Sequence, residues 1–293
     1  MVKVRVPATT ANIGPGFDCL GIALDLYCYI EVEEIEKGLV IEGCDDKFKG
    51  EDNLIYKSMK RIFESASYSP RGIKIKVDSK IPISRGLGSS AACIIGGLLV
   101  ANELVGCVYS KEEILNIATQ IEGHPDNVIP ALVGGMTVAI HEKDRVYYNK
   151  IKVSDRFKFY ALIPQFTVST EKARKVLPKV IDYKDAVFNI GRVSLLITSF
   201  IEGNDNIKIA CRDKIHEDYR KELIKGFDTI KEKCLDLGSL AVFISGSGST
   251  LMAIVDKENT DFKAKIEKAI YNFEGSWIVK EVNIDYEGAK IIK

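Results

Sequence analysis

The chain has 293 residues, 46% of them hydrophobic, enough for a sizeable core and comfortable for two domains. Lys plus Arg and Asp plus Glu both number 41, which argues against a general polyanion-binding surface and so against nucleic acid as a partner. The seven cysteines are scattered without a C-x-x-C pair, as in a reduced, cytoplasmic protein. The most apolar run, 91–101, is much shorter than the ~20 residues of a membrane span, and residues 1–7 lack a signal-peptide apolar region, so no membrane contact is expected.

Val2, Val4 and Val6 alternate with Lys3 and Arg5, predicting a half-buried first strand. Residues 7–21 are rich in Gly and Pro and read as irregular, carrying Asn12 and Asp18; both residue types are also ordinary turn formers. A strand is expected over 22–33, a polar loop over 43–53, and an amphipathic helix over 54–65 with Leu54, Ile55, Met59, Ile62 and Phe63 inward. Ile73, Ile75 and Val77 alternate with polar residues and predict another strand.

Residues 81–102 are the most informative stretch. A proline turn and the loop Ser84-Arg85-Gly86-Leu87-Gly88-Ser89-Ser90 lead into a small, apolar helix over 91–101, with Ser89 or Ser90 as the expected N-cap. A glycine-rich turn at a helix start gathers free N–H groups and the positive end of the dipole, which suits a phosphate; an ordinary loop capping a buried helix has the same residues. The spacing is neither a Walker A loop, since no Lys follows Gly88, nor the dinucleotide fingerprint, which needs a third glycine.

Ser110 and Glu113 form a capping-box pattern for a helix ending near 121. Glu122-Gly123-His124-Pro125-Asp126-Asn127 follows, dense in acid–base and metal-binding types, although a polar turn after a helix end reads the same way. A strand after a glycine turn is expected over 133–140, and a domain change near 150–156. Further on, a strand over 157–163 precedes a short helix stopped by Pro178, on which Thr170 and Arg174 share a face. Helices are expected over 183–202, 207–211 and 219–237. Arg212, His216 and Arg220 repeat at four, a charged stripe most often merely solvated. Strands over 240–244 and 251–255 flank Ser245-Gly246-Ser247-Gly248-Ser249-Thr250, a turn of hairpin type. A helix over 261–273 and a strand over 277–284 close the chain, suiting an α+β architecture with helices on one face of an antiparallel sheet.

Together, residues 7–21, 82–92 and 245–250 resemble the three motifs of the GHMP kinase superfamily, which binds ATP without a Walker loop; P-x-x-x-G-L-G-S-S-A-A is the most specific part. The segments A-T-T-A-N-I-G-P-G-F-D-C-L-G, E-G-H-P-D-N-V-x-P-A, S-T-E-K-A-R-K-V-L-P and H-E-D-Y-R are similar to the members that phosphorylate homoserine in the threonine pathway. The resemblance implies two domains, 1–154 like the second domain of ribosomal protein S5 and 155–293 ferredoxin-like, with the ligand site between them, and a homodimer. It implies ATP contacts at Asn53, Pro82, Ile83, Ser84, Arg85, Gly86, Leu87, Gly88, Ser89, Ser90, Ala91, Ala92, Gly246 and Gly248, with Mg²⁺ held by Ser90 and Glu122.

Homoserine is a small zwitterion with a primary hydroxyl. Arg174 and Arg220 suit its carboxylate, and Asn12, Asp18, Asp126 and Asn127 are candidate acceptors for its ammonium and hydroxyl. The resemblance sets Asp18 near the hydroxyl and His124 and Thr170 around the pocket. Asp126 matches the base of mevalonate kinases, yet the Lys those enzymes pair with it is absent from Thr9-Thr10-Ala11. Direct attack by an oriented hydroxyl is therefore expected, with Asp18 as the alternative proton acceptor. The third motif departs from its usual form, Ser249 standing where proline is usual. Two other readings remain open: a kinase of the same superfamily acting on another small alcohol, and a non-catalytic binding protein of the same fold.

Overall fold

The computed structural model describes residues 1–292 and contains two sheets. The first is built from β1 (Val2–Ala11), β2 (Leu20–Glu34), β3 (Gly38–Glu42) and, after helix α1 (Leu54–Ser65), β4 (Gly72–Ser79). Three helices then follow in succession, α2 (Ser89–Leu104), α3 (Lys111–Glu122) and α4 (Pro125–Val133), before the hairpin β5 (Met136–Glu142) and β6 (Arg145–Ile151). Alternation fixes which face of β2 is covered: Leu24, Leu26, Cys28, Ile30 and Val32 are buried, with partly exposed residues between them. Helix α2 packs on β1 and β2, flanked by α1, α3 and α4.

The second sheet is formed by β7 (Phe157–Ile163) and later strands, separated from it by α5 (Thr170–Lys175), α6 (Tyr183–Glu202), α7 (Ile207–Ala210), α8 (Glu217–Arg220) and α9 (Phe227–Asp236). Strands β8 (Ser239–Ile244) and β9 (Leu251–Asp256), helix α10 (Phe262–Ile270) and β10 (Ile278–Val282) complete it in the order β10-β7-β9-β8, all antiparallel, as in a ferredoxin-like unit. The chain then returns to the first sheet, where β11 (Lys290–Ile292) pairs with β1. Among the described residues no helix is long and apolar enough to cross a membrane.

Several expectations need correction. Residues 7–11, read as irregular, continue β1; Pro7 sits at a register shift, which spares the ladder the N–H it lacks. The segment after His124 is a helix and not merely a turn, with Pro125 in its first turn and all nine residues of α4 buried. Residues 219–237 do not form one helix: Gly226, in the left-handed region, separates α8 from α9. Ser110 and Glu113 do form the capping box. The Arg212–His216–Arg220 stripe is not merely solvated, since His216 and Arg220 are buried and only Arg212 is exposed.

The sheets are joined where the three glycine-containing loops meet. Arg85 donates to the carbonyls of Ile83, Pro164 and Gln165 at 2.9, 2.9 and 2.5 Å, pinning the loop before α2 to the end of β7. The Ser245 hydroxyl lies 2.6 Å from the Gly86 carbonyl and 2.8 Å from Thr10 Oγ1, and the Gly246 N–H donates to the Ala11 carbonyl. Ser249 is fully buried and donates to the Phe166 carbonyl at 2.7 Å, so a hydrogen bond ties this turn down in the absence of proline.

Candidate active site

Helix α2 is preceded by Gly88, with φ of +70°, as its N-cap residue, so no side chain caps the helix and neither Ser89 nor Ser90 takes the expected N-cap role. Its first N–H groups are therefore left open beside a loop whose Gly86 also has a positive φ, of +72°. A Cβ on Gly86 would lie 2.0 Å from the Ser245 carbonyl oxygen, and one on Gly88 would lie 1.9 Å from Thr9 Oγ1. Gly86→Ala is expected to lose ~1–3 kcal/mol from the backbone conformation alone, with the collision added. A Tm unchanged from the parent, measured by circular dichroism, would contradict that.

The loop lines a cleft of about 460 Å³. One end is bounded by Cys28, Phe48, Val77 and Ile81, and the other by polar Ser90, Glu122, Asn127, Thr170 and Ser247. Pro82, Ile83, Ser84, Arg85, Gly86, Leu87, Gly88 and Ser89 lie along it. Asn53 also lines it, but its side chain is engaged: Oδ1 accepts the Ile55 and Tyr56 N–H groups as the N-cap of α1, and Nδ2 donates to the Phe48 carbonyl. Ala91 and Ala92 are buried in the core, and neither lines the cleft. Gly246 and Gly248 are likewise outside its lining, where Ser247 appears instead.

At the polar end the Ser90 hydroxyl donates to Glu122 Oε2 at 2.8 Å. Burial is the main influence on Glu122 and raises its pKa, against the Ser90 hydrogen bond and the His124 charge, which lower it. No Lys or Arg among the described residues forms an ion pair with Glu122. A desolvated carboxylate beside a hydroxyl is a hard-oxygen pair that fits Mg²⁺, which takes few protein ligands and keeps its waters and phosphate oxygens.

A cluster of opposite charges adjoins this end. Asp18 and Arg174 form a bidentate pair at 2.8 and 3.1 Å, and one acceptor or ring nitrogen from each of Asp18, His124 and Asp126 lies within 4.8 Å of the others. His124 Nδ1 is 2.7 Å from Asp126 Oδ1, and Asn127 links Asp126 to Thr9, whose hydroxyl donates to Asn127 Oδ1 at 2.7 Å. Burial opposes a charge on His124, but Asp126 and Glu122 outweigh it, and its pKa is raised. The His124–Asp126 pair therefore contributes fully below the ordinary imidazole pKa of ~6.5 and is lost as pH rises through the raised value. Urea melts across that window should show stability falling with rising pH, and the dependence should shrink in His124→Gln.

Arg220 is buried; its Nε and Nη1 donate to the Ala173 and Gly246 carbonyls at 3.2 and 3.0 Å. Burial, then the nearby Arg174 charge, lower its pKa to about 10, so it remains charged at neutral pH. Asn12 bridges the loops, accepting the Asp18 N–H and donating to the Gly246 carbonyl. Thr170 and Ser247 hydroxyls are 3.4 Å apart at the cleft. The fold thus brings Asn12, Asp18, His124, Asp126, Asn127, Thr170, Arg174 and Arg220 together beside the cleft, from four separate stretches of chain; of these, Asn127 and Thr170 line it.

Sequence reasoning passed over Phe17, whose ring lies 5.7 Å from the Arg174 guanidinium and 5.0 Å from that of Arg220. A lone aromatic beside Asp18 in a glycine-rich loop was the available signal. Thr9 and Ser247 were also passed over. Asp213 was missed with no signal at all: its carboxylate accepts the N–H groups of Ile215, His216 and Glu217, holding the start of α8 and so Arg220.

An open helix start on a phosphate-sized loop and a carboxylate–hydroxyl pair in one cleft, with a zwitterion-matched charge cluster beside it, define a phosphotransferase for small charged molecules. Models of the GHMP kinases N-terminal and C-terminal domains match residues 53–135 and 194–271. A homoserine kinase of Clostridium botulinum (strain 657 / Type Ba4) is 55% identical over 99% of this chain and 98% of its own. The crystal structure of homoserine kinase from Cytophaga hutchinsonii superposes with a TM-score of 0.87 at 31% identity, covering 99% of this chain and 97% of that one. L. major mevalonate kinase, at 15% identity and a TM-score of 0.75 over 96% of this chain and 95% of that one, shares the fold. The chain belongs to the GHMP kinase family and, within it, to the homoserine kinases.

Proposed function

We propose that this chain transfers the γ-phosphoryl group of ATP to the side-chain hydroxyl of L-homoserine, giving O-phospho-L-homoserine for threonine synthesis in the cytoplasm. The observation that carries the choice of alcohol is the Asp18–Arg174 pair with buried Arg220 beside it, at the polar end of the cleft. Without ligand the charges satisfy one another. A zwitterion exchanges with them, its carboxylate taken by Arg174 and Arg220 and its ammonium by Asp18 and Asp126.

The N–H groups at the start of α2 and those of the loop bind the triphosphate, with the nucleoside toward the Phe48 end. Ser90 and Glu122 hold Mg²⁺, which when bound neutralises developing charge on the phosphate oxygens. Asp18, Asn12 and Thr170 then orient the hydroxyl, and positioning of this kind supplies ~7–11 kcal/mol of barrier reduction.

Thr9 stands hydrogen-bonded to Asn127, and Asp126 is committed to His124 and Asn127. This supports attack by an oriented hydroxyl without a dedicated base. Asp126→Asn should keep kcat within about tenfold, whereas a loss of ~10²–10⁴ would make Asp126 a general base. The substrate is tested by coupled ADP release with homoserine, mevalonate and galactose. Turnover is expected with homoserine alone; a preference for an alcohol without a carboxylate would overturn the reading.

A further inference from the structure

His216 is the one histidine of three that is wholly buried, and it does not line the cleft. Burying an imidazole strips both ring nitrogens of water, so each needs a partner from the chain. Nε2 lies 2.9 Å from the Gly14 carbonyl oxygen, and Nδ1 lies 3.5 Å from Arg220 Nη1. A carbonyl oxygen only accepts and a guanidinium nitrogen only donates. Both partners therefore call for the same form of the ring: neutral, with its proton on Nε2 and its lone pair on Nδ1. An imidazolium would aim a second donor and a second charge at Arg220. Asp213 is no competitor for the proton, since its Oδ2 is 3.9 Å from Nε2 and already accepts three backbone N–H groups.

On either side the ring touches the ligand machinery. Gly14 belongs to the loop that carries Asn12 and Asp18. Its φ is +69°, and a Cβ there would lie 2.4 Å from the Cys211 carbonyl oxygen, so this loop is pressed against the segment leading to α8. Arg220 follows His216 by four residues and its N–H donates to the His216 carbonyl, which puts ring and guanidinium on one face of a single turn. The Phe17 ring packs on both, 5.1 Å from the imidazole and 5.0 Å from the guanidinium carbon. Arg220 Nε is held by Ala173, and Nη1 is shared between Gly246 and His216. Of the three guanidinium nitrogens, Nη2 has no hydrogen-bond partner among the described residues.

We propose that His216 is a positioning residue for substrate recognition: held by the Gly14 carbonyl as its Nε2–H tautomer, it fixes Nη1 of Arg220 and leaves Nη2 for the carboxylate of the amino-acid substrate. The inference rests on the zwitterion reading of the site. An arginine side chain gives up rotamer freedom when it grips a ligand, and the His216 lone pair makes that ordering a property of the empty site. The same ring ties the carboxylate receptor, Arg220, to the loop bearing Asn12 and Asp18. Their separation is thereby set before substrate arrives.

Nitrogen NMR of the full chain labelled at histidine reads the tautomer directly, the His216 signals being those lost in His216→Asn. In the parent at neutral pH, Nε2 should carry the proton and Nδ1 none, and the Nδ1 signal should shift when homoserine is added. His216→Leu nearly keeps the volume but has no lone pair. Its KM for homoserine should rise about tenfold or more, the scale of a hydrogen bond to a charged group, with kcat and KM for ATP within about threefold. His216→Asn keeps an acceptor on the Nδ1 side and should bring KM for homoserine back to within about threefold of the parent. A proton on Nδ1, or equal impairment of the two variants, would overturn the proposal. So would a KM for ATP that rises in step with that for homoserine, which marks a support of the fold. If His216→Leu does not fold, the tautomer and His216→Asn decide the matter. A parent that turns over no homoserine sinks the substrate reading instead, whereas a wrong tautomer with turnover intact sinks this inference alone.

Discussion

Replacing Glu122 by glutamine should lower kcat/KM on the order of 10³-fold, the scale of several kcal/mol that charge stabilisation by a bound divalent ion supplies. The amide keeps the volume and the hydrogen bond from Ser90 but removes the charge that a metal ion needs. The parent carboxylate is costly where it stands, since burial is the main cause of its raised pKa. Metal binding requires the ionised form, so Mg²⁺ affinity should fall as pH drops through that raised value. For the same reason Mg²⁺ should raise the Tm of the parent and leave that of Glu122→Gln unmoved. Steady-state kinetics across a Mg²⁺ titration provide the check. A loss below tenfold at saturating Mg²⁺ would remove Glu122 from the metal site.

Arg220→Lys should raise KM for homoserine by roughly 10², the fold-change matching the ~2–5 kcal/mol cost of truncating a buried, hydrogen-bonded charge contact. The guanidinium has a geometry that lysine lacks. One nitrogen is held by the Ala173 carbonyl and another by the Gly246 carbonyl, with the Phe17 ring 5.0 Å from the guanidinium carbon. A single ammonium cannot hold both carbonyls and still present a planar pair of donors to a carboxylate. Burial already lowers the pKa of Arg220 to about 10, and a lysine there starts two units lower and neutralises sooner. KM for ATP should stay within about threefold, because Arg220 is not among the residues lining the cleft. If both KM values rise together, Arg220 holds the fold and not the substrate.

The loop 84–90, the capping box and the helices α1 and α6 could be read directly from the chain, because each is specified by neighbours a few residues apart. Asn53 capping α1, the 54–65 periodicity and Ser110 with Glu113 are all signals local to one or two turns. Strands β3, β6 and β11 went unread. β3 and β6 are exposed along much of their length, and β11 has three residues whose pairing with β1 spans nearly the whole chain. Helix α4 was hidden by Pro125 and Pro130, which mark a turn in sequence terms; inside the fold all nine of its residues are buried, and packing outweighs propensity.

The amino-acid sequence alone determined the chemical inventory: an open glycine loop, a carboxylate one helix later, and arginines suited to a carboxylate-bearing ligand. Only the tertiary structure decided which of these meet. Arg220 looked like one member of a solvated stripe until α8 was packed under the 245–250 turn and desolvated, because helical spacing says which residues share a face but not what covers it. Asp18 and Arg174, 156 residues apart, became a bidentate pair only when β2's leading loop met α5. Long-range burial and pairing of this kind carry no local signature, since their free energy comes from excluding water between segments that the chain itself keeps apart.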